Sequence, residues 1–135
     1  MKTRTKKLST ERQQLSSWVM ERADRMCNEY GISRREACRK AHLAKNIVEL
    51  MGTSVVQFQY RKKDGTLRQA RGTLCIEMSP EYDEALRRMA ERQTEKSSQK
   101  KDENPLDYVT YWDMDKRGFR SFLIRNLDDY LEIKD

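Results

Sequence analysis

Val56-Gln57-Phe58-Gln59-Tyr60-Arg61 runs through Lys62 into Lys63-Asp64-Gly65-Thr66, and Leu67-Arg68-Gln69-Ala70-Arg71-Gly72 follows. Apolar and polar residues alternate along the first stretch, which is the period of a strand with one buried face. Asp64-Gly65 predicts a tight two-residue turn, because glycine reaches positive φ without steric cost. A hairpin therefore reads as strands over 54–61 and 67–78. Val56, Phe58 and Tyr60 share the core face of the first strand, and Ala70, Leu74, Ile76 and Met78 that of the second, with Gly72 marking a bend or bulge. Arg71 and Thr73 are expected to face outward, and the turn displays Arg61, Lys62, Lys63 and Arg68. The scheme recurs downstream, where Tyr111-Trp112-Asp113 leads through Gly118 to Phe119-Arg120-Ser121-Phe122. This predicts strands over 107–113 and 118–125, a turn bounded by Asp115 and Gly118, and a short strand or turn over 128–133.

Upstream the period changes from two to between three and four. Leu15, Trp18, Val19, Ala23, Met26, Cys27 and Tyr30 mark one face of a helix over 10–30, which Gly31 ends by taking the left-handed cap conformation. Ser33-Arg34-Arg35-Glu36 then reads as a capping box, serine and glutamate each serving the other's backbone amide. Ala37, Ala41, Ala44, Val48 and Met51 carry the second buried face until Gly52. Ser79-Pro80-Glu81 starts another helix, with Tyr82, Ala85, Leu86 and Met89 on its apolar face. From 93 to 104 no apolar residue occurs, which predicts a mobile linker. The expected organisation is a disordered basic arm over 1–8, a helical hairpin over 9–52, and a β-barrel over 53–135 with an insertion at 79–105.

The strings FQYRKKDGTLRQARGTL and DYVTYWDMDKRGFRSFLIRNLDDYLEI resemble the WYL domain, especially its short stand-alone relatives of Bacteroidetes. The resemblance implies an Sm-like, SH3-like barrel of a bacterial transcriptional regulator, one that holds nucleotide or nucleic-acid ligands through basic residues. Asp107, Tyr108 and Val109 align with the naming Trp-Tyr-Leu, so only the tyrosine is unchanged. On the closing strand Arg120 keeps its basic identity while two further basic positions are replaced, and Arg125 is the candidate to compensate. The fold class is thus α+β: an N-terminal helical hairpin, then a small Sm-like or SH3-like antiparallel β-barrel with an inserted helix and mobile linker.

A chain of 135 residues with 37% charged and 36% hydrophobic composition supports one modest core. Its net charge of +6 is uneven: residues 1–78 hold 17 Lys and Arg against 8 Asp and Glu, a balance of +9, while residues 79–135 hold 11 against 14, a balance of −3. Such a field favours polyanions, DNA or RNA first and acidic proteins second. With no signal-peptide core, no membrane span and no CxxC pair among Cys27, Cys38 and Cys75, the expectation is a cytoplasmic protein without membrane partners.

The candidate phosphate contacts are Arg61, Lys62, Lys63, Arg68, Arg71 and Arg120 from the barrel, and Arg34, Arg35, Arg39 and Lys40 from the helices. Tyr108, Tyr111 and Trp112 are the candidates for base stacking, although strand parity buries either Tyr108 with Trp112 or Val109 with Tyr111. Cys27-Asn28-Glu29-Tyr30-Gly31 before Arg34 resembles a helix-turn-helix turn, but the first helix is long for that motif, Lys40 occupies a usually aliphatic position, and a plain helical hairpin explains the same residues. Cys27, Cys38 and His42 lack the paired spacing of a zinc site. Asp113 and Asp115 suit turn capping better than metal-assisted chemistry. One histidine and no nucleophile-and-base pair argue against an enzyme, and no cofactor or metal is expected. Nucleic-acid binding or transcription regulation is the leading function. A protein-interaction or oligomerisation module and a small-nucleotide sensor are the alternatives.

Overall fold

The computed structural model describes residues 17–92 and 104–134. The basic arm over 1–8, the start of the first helix and most of the polar linker lie outside the described residues. The elements are helix α1 (17–30), α2 (Arg34–Met51), strands β1 (Val55–Arg61) and β2 (Leu67–Thr73), a 3-10 turn at Ile76–Met78, and α3 (Pro80–Arg92). A second 3-10 turn at Pro105–Asp107 leads into β3 (Tyr108–Asp113) and β4 (Gly118–Leu123), and a third at Ile124–Asn126 leads into β5 (Leu127–Lys134).

α1 ends as its glycine predicts. Gly31 takes φ +68°, and its amide and that of Ile32 donate to the carbonyls of Cys27 and Met26, each at 3.2 Å, the Gly31 bond being that of a left-handed glycine cap. Only half of the expected capping box forms. Ser33 Oγ accepts from the Glu36 amide at 3.2 Å, but the Glu36 carboxylate turns to Arg39, 2.7 Å away. Ala23, Ala37, Ala41 and Ala44 are fully buried, so the two helices meet through small side chains, and Ile47, which the sequence pattern passes over, is fully buried with them. This helical cluster is continuous with Val56, Phe58, Tyr60, Tyr111, Phe122 and Leu127 of the sheet, so the hairpin and the barrel share one core.

All strands pair antiparallel in the order β4-β3-β2-β1-β5. Hydrogen bonding leaves the sheet open, but it curls until Phe122 of edge strand β4 packs on Phe58 and Tyr60 of β1, with ring centroids 5.2 and 5.4 Å apart. Gly72 makes that curl possible, since a Cβ there would overlap Cδ2 of Tyr111.

Two sequence expectations need correction. β2 stops at Thr73 instead of continuing to residue 78, because Thr73 Oγ1 lies 2.9 and 3.2 Å from the carbonyls of Ser54 and Met51, while the Leu74 amide donates to Met51 at 2.9 Å. The end of α2 thus captures the chain, Thr73 is buried instead of outward, and Ile76 and Met78 are exposed on a 3-10 turn. The first hairpin also has a longer turn than predicted. Lys62 N donates to Thr66 O and Gly65 N to Lys62 O, with Gly65 at φ +92°, a three-residue loop whose last position needs the left-handed region.

Candidate nucleic-acid interface

Strand register places the functional side chains. Directly paired residues project to the same face of a sheet, and the pairs Tyr60 with Arg68, Tyr111 with Arg120, and Gly72 with Asp113 therefore continue the face that carries Phe58. The aromatic core layer thus gives way, at the end nearest the β1–β2 turn, to a polar layer of Tyr60, Arg68, Tyr111, Asp113 and Arg120. Above it opens a cleft of about 270 Å³ between the β1–β2 turn and β4, lined by Arg61, Lys62, Lys63, Arg68 and Arg120 with Tyr60, Phe119 and Phe122. A neighbouring hollow of about 310 Å³ wraps β4, shares Lys63, Phe119 and Arg120, and adds Tyr108. No carboxylate among the described residues lines either one.

The cations differ in how they are held. Arg61 donates to Gly65 O of its own turn at 3.2 Å, while Lys62 and Lys63 are exposed on the turn. Arg68 is the deep one, with its side chain 17% exposed and Nη2 3.3 Å from Oδ2 of Asp113, a residue 2% exposed. Burial works against the Arg68 charge, but Asp113 and the nearby tyrosyl oxygens outweigh it and hold the guanidinium firmly protonated. Arg120 Nε stands 3.7 Å from the same carboxylate oxygen and stays half exposed. Asp113 is already committed, since its Oδ1 accepts from the amides of Asp115 and Lys116 at 2.9 and 3.0 Å. It caps the β3–β4 turn while neutralising one buried cation.

The other predicted contacts lie elsewhere. Arg71 pairs with Asp115 at 2.8 Å on the outer face, Arg34 pairs with Asp24 at 2.8 Å, and Arg39 pairs with Glu36. Lys40 does not offer its charge to a ligand: its ammonium donates to the carbonyls of Arg125 and Leu127 at 2.8 and 3.1 Å, and burial lowers its pKa. Arg35 is exposed, and none of the four helical cations lines the cleft. Arg125 lies 3.8 Å over the ring of Tyr30 instead of compensating on the closing strand.

Of the stacking candidates, Tyr111 is fully buried, and Trp112 is covered by Tyr82 of α3 at 5.4 Å and by Phe119 at 5.1 Å. Strand parity sends Val109 and Tyr111 to the core, and Trp112 on the opposite face is buried as well because Tyr82 of α3 covers it. Tyr108 alone reaches a hollow. Phe119, 40% exposed and lining both cavities, offers an open aromatic face that the stacking candidates do not include, although its place beside Arg120 on an edge strand is a readable signal.

Among the described residues no group of three or more His, Cys, Asp or Glu is arranged to hold a metal, and no helix is long and apolar enough to cross a membrane. The family model described as WYL_2, Sm-like SH3 beta-barrel fold, matches residues 44–128. No curated protein and no solved structure matches the chain.

Proposed function

Because the chain belongs to the WYL_2 family, with its Sm-like SH3 β-barrel fold, we propose that it is a non-enzymatic, regulatory nucleic-acid-binding protein whose barrel cleft holds the phosphate backbone. The observation that carries this reading is convergence. Arg61, Lys62, Lys63, Arg68 and Arg120 come from two hairpins far apart in sequence, yet all line one cleft without a lining carboxylate among the described residues. Charges so placed attract a polyanion, and contacts to phosphate give affinity with little sequence preference. Phe119 at the rim adds an aromatic face for a base.

The test is fluorescence anisotropy with labelled single-stranded DNA, duplex DNA and RNA over a range of salt, beside the triple reversal Arg61→Glu, Lys62→Glu, Lys63→Glu. Arg68 is spared, since reversing it would set a carboxylate against buried Asp113. Binding that weakens steeply with salt and disappears in the triple variant supports the cleft. Binding that survives the reversal moves the site to Arg34, Arg35 and Arg39, and no binding at low salt sinks the reading.

A further inference from the structure

The hydroxyl oxygens of Tyr60 and Tyr111 lie 2.9 Å apart in the interior, and the contact is compatible with either as donor. The proton count decides which. Two phenols carry two protons, and their mutual bond uses one. Tyr111 is fully buried, with Phe58 and Phe122 at 5.1 and 6.1 Å and Gly72 against its ring. Burial also pushes its hydroxyl far above the usual tyrosine range, so it keeps its proton. Among the described residues neither hydroxyl has another hydrogen-bond partner.

If Tyr60 donated to Tyr111, the Tyr111 proton would be stranded in the core, at a cost of about 1–3 kcal/mol. The reverse order strands nothing. Tyr111 donates to Tyr60, and the proton of Tyr60, a residue that lines the cleft, is left to point into it.

We infer that the cleft takes an unpaired nucleotide and that Tyr60, through this fixed proton order, is a specificity-determining residue that donates to an acceptor on the base. This deepens the nucleic-acid reading and rests on it. The exposed cations Arg61, Lys62 and Lys63 ring the cleft and hold phosphate, whereas Tyr60, 5% exposed, forms its floor as a neutral donor. A cleft of about 270 Å³ admits one base with its edge free, and not a double helix whose bases are stacked and paired.

The experiment measures binding of a labelled single-stranded oligonucleotide, and of the same backbone carrying abasic residues, to the full chain and to Tyr60→Phe and Tyr111→Phe. Tyr60→Phe is expected to weaken the base-bearing strand about three- to tenfold, to leave its salt slope unchanged and to leave the abasic strand unaffected. Tyr111→Phe removes the donor that fixes the order and leaves the Tyr60 hydroxyl free to turn, so it is expected to weaken the base-bearing strand by less than Tyr60→Phe, about twofold, and to leave the abasic strand unaffected. Melting curves confirm that each variant is folded, and the wild-type preference for the base-bearing strand needs no variant at all. An unchanged Tyr60→Phe affinity, an equal loss on the abasic strand or an altered salt slope overturns the assignment. A wild type that ignores both strands overturns the nucleic-acid reading with it.

Discussion

An alanine methyl at position 72 would overlap Cδ2 of Tyr111, and that single clash fixes how closely β2 and β3 can share the interior. Gly72→Ala is expected to cost about 1–3 kcal/mol by overpacking, read as a lower denaturation midpoint with an unchanged slope. Sequence parity flags Gly72 as a place where a strand bends, but the reason for it, a tyrosine 39 positions later in the chain, depends on register and is invisible locally. The same holds for Asp113. Its turn-capping role follows from its place before the turn, whereas its pairing with Arg68 requires β2 and β3 to be neighbours. Lys40 looks like a surface cation in a helix whose partner faces are unknown, and only the fold shows its ammonium serving two carbonyls.

Between elements, the helical hairpin grips the barrel at two 3-10 turns. Lys40 of α2 holds the turn at Ile124–Asn126, while Arg25 and Tyr30 of α1 hold Asp107, at 2.8 and 3.0 Å. Burial alone would raise the Asp107 pKa, but these hydrogen bonds outweigh it and keep the carboxylate below its ordinary range. A carboxylate depressed in the folded state adds stability that is complete above its unfolded value of about 3.9 and lost as pH falls toward the folded value. Asp107→Asn should therefore lower the melting temperature at neutral pH and flatten its decline below about pH 4. Lys40→Gln and Lys62→Ala should separate structure from binding. The first is expected to cost about 1–2 kcal/mol of stability and leave the salt slope alone. The second should leave stability alone and reduce the slope by about one phosphate. Hairpins, helix ends and both strand pairs are legible from period and turn residues; the end of β2 is not, since carbonyls at the end of α2 set it.

For the whole molecule, the regional charge excess is readable in composition, but its distribution is not. Arg34, Arg39 and Arg71 pair with carboxylates away from the cleft, whereas Arg61, Lys62, Lys63, Arg68 and Arg120 line it, with Asp113 beneath Arg68 and Arg120. With roughly four phosphates contacted, the logarithm of affinity for a single strand should fall with the logarithm of salt at a slope of about −3, measurable by titration at several ionic strengths. The shared core carries a different consequence. The family match begins at Ala44, inside α2, yet Val19, Ala23, Met26, Ala37 and Ala41 belong to the same cluster as Phe58 and Tyr111. The unit recognised by descent is therefore shorter than the unit that excludes water. Residues 44–128 excised alone, or grafted into a fusion, would carry half a helix with Ile47 and Met51 bared, so the natural cut for transplanting this barrel lies ahead of α1.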